Sequence, residues 1–431
     1  MKRIVFLTHK NEGPPFHYWI QRLKEACERQ GVETELLDLD EGHLRLEIDR
    51  LCDDPPDLLC SFSGIRAFPS GERCWDHMRI PYLSLLVDPA IYVDYYRRSP
   101  YSILSCIDRG DLPFLQRHGF SSAFFLPLGA EGERPVSPAG ERTFEVALIG
   151  NFTDHELLEK ECRARFSPHV CQILDEVITA VLTAAPAKNV PSRNDPEGAL
   201  FRRPASPTPR EGLPVSCDKK SRASVHLARG NFLAGTAAVL SDHIAYYPSL
   251  LAERLVGLGA VPFDQICYAA HYRLRGLDRL RLLQSLKGVD VHLFGEFPEK
   301  WRAPHIHLHG KISYVKALQV MSQSKILLNS APFFPDGLHD RVTAGLMQGS
   351  LILSSESCYQ AETLRDGESI LTYRPGDYAS AGAKVHAYLA DERKRQELVR
   401  SGQEVVRLHH TWDVRARQML AALPPILRGM Q

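Results

Sequence analysis

The chain has 431 residues, and its 52 Lys+Arg balance its 52 Asp+Glu to a formal net charge of zero. That length leaves room for two α/β domains with separate cores, while the charge balance excludes a global attraction to nucleic acid or anionic lipid. No apolar run reaches transmembrane length, the start MKRIVFLTHKNEG lacks a signal-peptide core, and the ten cysteines form neither a C-x-x-C pair nor a zinc-spaced cluster, so a cytoplasmic protein with reduced thiols is expected.

Ile4–Leu7 reads as a strand, Tyr18–Gln30 as an amphipathic helix stopped by Gly31, and Thr34–Leu37 as a second strand. Apolar runs follow at Leu58–Phe62, Tyr82–Val87, Ser102–Ile107 and Ala123–Leu126, spaced by helix-sized segments. This alternation predicts a doubly wound parallel sheet. Residues 132–141 shift to Gly, Pro, Glu and Ser, as a linker does, and Glu145–Ile149 opens a new strand ending in Gly150-Asn151. Glu156–Ala185 has a helical pattern; after it, proline and charge dominate 186–222, which is expected to be a poorly packed insertion. A second sheet is predicted from Val289–Phe294, Ile306–Leu308, Lys325–Leu328, Ser350–Leu353 and Ile370–Tyr373, and Glu392–Leu408 and Trp412–Leu427 end the chain as helices. The expected domains are 1–140 and 144–411.

The run LNSAPFFPDGLHDRVTAGLMQGSLILSS, residues 328–355, is the most telling stretch. It reads as strand, glycine turn, short helix opening near Asp340, glycine and strand. Unpaired amides at that opening carry the positive end of the helix dipole, and Arg341 adds a planar donor fork, so a diphosphate fits there. Ligands of open α/β sheets collect outside the carboxyl ends of strands. The set expected to line one cleft is Gly295 with Glu296, Gly310, Lys311, Asn329, Ser330, Gly337, His339, Asp340, Arg341, Ser354, Glu356 and Gly367-Glu368. Glycines allow close backbone approach, and Lys311 and Arg341 balance phosphate charge. Taken alone, each glycine is an ordinary turn.

The segment SKILLNSAPFFPDGLHDRVTAGLMQGSLILSSESCY, then LRDGESILTYRPGD and LHHTWDVRARQML, resembles the C-terminal half of group 1 glycosyltransferases, particularly their CgeB-like branch. The matching positions are Ser324, Lys325, Leu328, Asn329, His339, Asp340, Arg341, Gly349, His410, Thr411, Trp412 and Arg415. Similarity is clear over about 288–420; the first half matches loosely through LLVDPAIYV, IDRGDLPFLQRHG and LPLGAE. The resemblance implies a GT-B fold, two Rossmann-like doubly wound parallel-sheet domains facing across a cleft, with the closing helix 412–431 returning to the first. It implies a nucleotide-sugar donor held by the second domain, and metal-independent transfer, with no cofactor, to a protein, glycan or small-molecule acceptor. One departure stands out: where many group 1 enzymes have a glutamate that holds the donor ribose, this chain has Ala344. Another group, such as Glu368, is then expected to contact the ribose. Ala344 also favours a rival reading, a catalytically inactive GT-B binding or assembly protein; a nucleotide-sugar epimerase or hydrolase of the same fold is a third.

Glycosyl transfer builds negative charge on the departing diphosphate, so fixed positive groups matter most; Arg341 and Lys311 are the expected ones. An inverting enzyme also needs a base. The loop THKNEGPPFHYW supplies His9, Glu12 and His17 beside Gly13, which is expected to face the cleft, and Asp88 ends an apolar strand before Pro89. His17 and Asp88 are the candidate catalytic groups; their plainer readings are a helix-end polar residue and a turn cap. Asp38-Leu39-Asp40 mimics an acid-x-acid metal signature but suits a solvated turn. His305, His307 and His309 share one strand face with no carboxylate or cysteine nearby, so no metal site is expected. Tyr92, Tyr95 and Tyr96 with Arg97 and Arg98 suit a helix packing its rings and solvating its charges.

Overall fold

A computed structural model of the chain describes residues 1–8, 14–38, 44–63, 74–92, 99–117, 119–132, 142–183, 247–256, 258 and 262–430. The expected insertion at 186–222, the linker beyond Gly132, and His9, Glu12, Gly13, Leu39, Asp40, Tyr95, Tyr96, Arg97 and Arg98 lie outside the described residues, as does the side chain of Tyr92.

Two six-stranded sheets carry the fold. The first contains β1 (Arg3–Thr8), β2 (Glu33–Asp38), β3 (Leu58–Phe62), β4 (Tyr82–Leu85), β5 (Ser102–Cys106) and β6 (Phe124–Phe125), in the order β2-β1-β3-β4-β5-β6. The second contains β7 (Phe144–Ile149), β8 (Val291–Phe294), β9 (Ile306–Leu308), β10 (Ser324–Asn329), β11 (Leu351–Ser355) and β12 (Leu371–Tyr373), in the order β12-β11-β10-β7-β8-β9. Every neighbouring pair is parallel. A parallel strand covered on both faces must be apolar throughout rather than alternating, which is why continuous runs mark these strands so well. β3 and β11 are buried at every position. Together the sheets form the two-domain Rossmann-like arrangement of a GT-B fold.

Around the first sheet lie α1 (Pro14–Arg29), α2 (Leu44–Asp53), α3 (Cys74–Met78) and α4 (Asp111–Arg117). Helix α1 begins earlier than its apolar stripe suggests, because prolines at a helix start forfeit only amides that have no helical partner. The helical stretch after β7 is two helices rather than one, α5 (His155–Arg165) and α6 (Pro168–Thr183). Phe166 is extended there, and the Ser167 hydroxyl accepts the Val170 amide at 3.3 Å, restarting the helix where Pro168 cannot donate. Then come α7 (Tyr247–Arg254), α8 (Phe263–Gln284), α9 (Tyr314–Gln323), α10 (Asp340–Met347), α11 (Cys358–Ala361), α12 (Tyr378–Ala390), α13 (Glu392–His409) and α14 (Trp412–Met430).

Helix α14 packs on α1. Its Trp412, Ala416, Met419 and Leu423 join the same apolar cluster as Ile4, Phe6, Trp19 and Leu23. The Ala130 amide donates to His410 O at 2.9 Å, and the Trp412 amide donates back to Ala130 O at 3.1 Å. Thr411 caps the helix by accepting the Val414 amide at 3.3 Å. Fully buried Arg415 donates to Leu128 O, His409 O and His410 Nδ1. His410 can accept because burial, with Arg415 adding to it, pushes its ring down to about 2, leaving it neutral. That cluster also takes in α6, α7 and α8, and α8 packs against the turn Ala90–Tyr92 of the first half. The two sheets are therefore joined by continuous apolar packing as well as by chain connections.

Candidate functional site

Strand order reverses between β7 and β10 in the second sheet, the crevice where open α/β sheets take ligands. Three arginines converge there. Arg341, in the first turn of α10, donates from Nη1 to Ile149 O at 2.7 Å and from Nε to Asn329 Oδ1 at 3.2 Å, spanning the ends of β7 and β10. Arg279 of α8, 2 % exposed, donates to Asn151 O, and its Nε has no partner. A methyl group on Gly150 would stand 2.9 Å from Arg341 Nη1 and 3.3 Å from Arg279 Nη2, so both guanidinium groups press on the turn after β7. Arg275, one helical turn before Arg279, lies over the Tyr272 ring at 4.5 Å and donates to Thr153 Oγ1 at 3.0 Å.

Two of these guanidinium groups, Arg279 and Arg341, are buried without a direct ion pair. Among the described residues, neither Arg279 nor Arg341 has a carboxylate within ion-pair distance. Burial lowers the Arg341 guanidinium to about 10, Asp340 opposing and Arg275 adding to the fall. Arg279 is pushed well below its ordinary value by burial and then by Arg275 and Arg341. The nearby carboxylate of Asp278 is taken up elsewhere: Ser330, Tyr373 and Tyr378 hydroxyls donate to it at 2.6, 2.5 and 2.9 Å. Desolvation of unpaired buried charge is expensive, so such a site favours an anionic ligand.

At the mouth of α10, His339 Nδ1 faces two groups, the Arg341 amide at 3.3 Å and Asp340 Oδ1 at 2.6 Å. One nitrogen cannot accept from the amide and donate to the carboxylate. The shorter, charge-assisted contact wins, so Nδ1 carries the proton and the Arg341 amide is left without that cap. Asp340 is buried, and although burial works to raise its carboxyl, His339 and Arg341 hold it below the ordinary value.

The structure revises several expected roles. Gly367 and Glu368 precede β12, and in a parallel sheet that puts them at the amino edge, away from the crevice; Glu368 is exposed and paired with Arg365. Glu368 is therefore not the ribose contact. Gly337 is filled by the protein itself, since a Cβ there would meet Ile107 O and Asp108 of the first half. Gly295, φ +143°, lies against the Gly150 carbonyl, so its openness serves backbone packing. Gly310, φ +73°, has open space around it. Lys311, 63 % exposed, pairs with Glu296 at 2.6 Å on the edge strand's side, two strands from the arginines.

Asn329 and Ser354 bond each other at the ends of β10 and β11, and Glu356 faces Arg374 at 3.5 Å. Ala344 is 6 % exposed within an apolar cluster, so its position faces the core. His307 and His309 gather on His292 rather than with His305, and no group of three or more His, Cys, Asp or Glu among the described residues is placed to hold a metal.

On the facing side, solvent reaches Asp88, yet surrounding protein raises its carboxyl, with Arg275 opposing. His17 is exposed on α1. The halves are also clasped directly. The Asp336 amide donates to Asp108 Oδ2 at 2.9 Å and the Arg109 amide to Asp336 O at 3.1 Å, while the Arg109 guanidinium sits over Phe125 and Tyr359 and pairs with Asp336 and Glu362. Burial, with Glu362 adding and Arg109 opposing, raises the Asp336 carboxyl to about 6. A carboxyl raised on folding stabilises fully below its ordinary value and loses that contribution as pH rises through about 6. Asp336→Asn should flatten the melting profile between pH 4 and 7 and add on the order of 1 kcal/mol at pH 7.5. An unchanged slope would assign that pH dependence to other groups.

The sequence reading missed α8 entirely as a source of ligands, although Arg275, Asp278 and Arg279 stand at helical spacing. Residues 277–421 match a family model described as glycosyl transferase-like, which supports the resemblance to group 1 glycosyltransferases. No curated protein matches the chain. Similar solved structures include sucrose-phosphate synthase from Thermosynechococcus elongatus, at 11% identity over 100% of each chain with TM-score 0.46. Others are Anabaena HepE in complex with UDP-glucose, at 10% identity over 99% of this chain and 100% of that one with TM-score 0.48, and AviGT4, a glycosyltransferase involved in avilamycin A biosynthesis, at 10% identity over 100% and 99% with TM-score 0.47.

Proposed function

We propose that this chain is a glycosyltransferase that takes a nucleotide-diphosphate sugar as donor, with a protein, glycan or small molecule as acceptor. The observation that carries the reading is the pair Arg279 and Arg341, under-neutralised guanidinium groups at the strand-order reversal of the second sheet. Both lie inside the matched segment 277–421. In this reading the diphosphate rests between them, with the uncapped Arg341 amide adding a donor, and charge growing on the leaving group is met by groups already in place. Guanidinium charge does the work a divalent ion would otherwise do, so transfer proceeds without metal or other cofactor. Asn329, Ser354 and Glu356 line the neighbouring strand ends; Glu356 takes the ribose contact in place of Glu368. Asp88 and His17 stand on the acceptor side. The described cysteines are all free and mostly buried, and no described helix is long and apolar enough to cross a membrane, which supports a cytoplasmic setting.

Thermal melts in the presence of UDP, GDP, dTDP and ADP test this. Ligand binding to the folded state alone stabilises by about 2.7 kcal/mol at a hundredfold excess over Kd. One nucleoside diphosphate should raise Tm strongly and the gain should shrink in salt. A flat response to all four would favour the inactive binding protein, the reading that core-facing Ala344 supports. Hydrolysis or isomerisation of a bound donor without acceptor would instead favour an epimerase or hydrolase.

A further inference from the structure

Helix α8 carries a stripe of side chains of which the diphosphate grip uses only the buried end. Tyr268, Tyr272, Arg275 and Arg279 stand four, three and four residues apart, a spacing that puts them on one face. Exposure rises along it, from Arg279 at 2 % through half-buried Arg275 and Tyr272 to Tyr268 at 47 %. The stripe therefore leads from the arginine crevice out to solvent. Its members are locked together: the Arg275 guanidinium lies over the Tyr272 ring, whose centre is 4.3 Å from that of Tyr268, and the two tyrosines are hydrogen-bonded through their side chains. The first half of the chain stands opposite. Helix α8 packs against the turn Ala90–Tyr92, and Asp88, just before that turn, is near enough for its charge to act on both Tyr272 and Arg275.

We infer that this stripe is the acceptor subsite, and that the acceptor is a neutral glycan of two or more sugar units. The inference rests on the glycosyl-transfer reading and names its substrate class. A ring alone would take any apolar group; the carboxylate and guanidinium beside it narrow the choice. Sugar hydroxyls donate to Asp88 and accept from Arg275, while the C–H face of the sugar packs on tyrosine, which has an apolar body and a polar tip. Asp88 and Arg275 carry opposite charges, so together they suit an uncharged ligand better than an acidic one. Length follows from the helix. Arg279 and Tyr268 are about 16 Å apart along α8 at its rise per residue, more than one sugar ring spans. The donor sugar then stands nearest Arg279, the accepting ring beside Asp88 and Arg275, and the next unit on Tyr268. Tyr268 thus reads acceptor length, remote from the bonds that change.

Full-length protein, saturated with whichever of UDP, GDP, dTDP and ADP raises its Tm, is passed over an array of mono- to tetrasaccharides of glucose, N-acetylglucosamine, mannose, galactose, rhamnose and xylose, with mixed-sequence peptides alongside. At least one oligosaccharide should be retained, and Tyr268→Ala should weaken that retention by about tenfold while leaving the matching monosaccharide unaffected. Tyr268→Trp, which keeps a ring at the position, should bind the oligosaccharide at near wild-type strength. The diphosphate-dependent rise in Tm should be the same in all three proteins, since the position is exposed and apart from the grip. Retention undiminished in Tyr268→Ala, retention of no oligosaccharide, or Tyr268-dependent retention of peptides instead would overturn the inference and leave the donor reading standing. A wild-type Tm that no nucleoside diphosphate raises would overturn the glycosyl-transfer reading, and this inference with it.

Discussion

Arg341→Ala should lower turnover by about 10²–10³-fold, the loss typical when a fixed donor to developing negative charge is removed. At about 10 its guanidinium is still charged at neutral pH. The nucleotide-free protein should melt nearly as wild type does. Removing the side chain strands Ile149 O and Asn329 Oδ1, each a modest cost, but relieves repulsion with Arg279 and Arg275 and the desolvation of an unpaired charge. The diphosphate-dependent rise in Tm should shrink in parallel with turnover. Arg341→Lys should recover only part of the activity, because an ammonium cannot span Ile149 and Asn329 with one planar fork. Steady-state kinetics beside melting curves decide the matter: intact turnover with a lowered Tm would make Arg341 a structural tie.

Gly129→Ala should destabilise the chain by about 3 kcal/mol, the upper part of the range for forced overpacking. A methyl group there would stand 2.8 Å from the Trp412 ring and 2.9 Å from its Cα and N. Backbone cannot swing aside as a side-chain tip does, so the two strands of chain must separate. Separation breaks the paired bonds between Ala130 and residues His410 and Trp412. Chemical denaturation reads the loss, and unchanged stability would mean that the crossing is looser than its geometry indicates.

The strands were legible because burial on both faces writes continuous apolar runs, and the returning helix because its segment carried a family pattern. The break between α5 and α6 turned on Pro168 and a single serine cap, too local a signal for a helical period to show. The candidate site was legible only where a motif sat next to a strand end, as with Asn329 and Arg341, which the structure brings into contact. Periodicity on α8 blurred, because it buries Asp278 and Arg279 alongside Ile266 and Leu274, and a charged residue in a core reads from sequence as surface. Gly295 and Gly337 were recognisable as close-approach positions, but a sequence cannot say whether backbone or ligand does the approaching. Glu368 failed for a topological reason: proximity to a strand does not reveal which end of it.

The returning helix also sets the order of events on the ribosome. All six strands of the first sheet have been made by Phe125, but Trp412, Ala416, Met419 and Leu423, which complete the apolar cover beside α1, emerge last. At ordinary elongation rates that is roughly half a minute later. Until then the nascent amino-terminal half displays a bare oily face. A transcript truncated before Trp412 would leave that face uncovered for good, and its product should be recovered with chaperones or in inclusion bodies rather than as free protein.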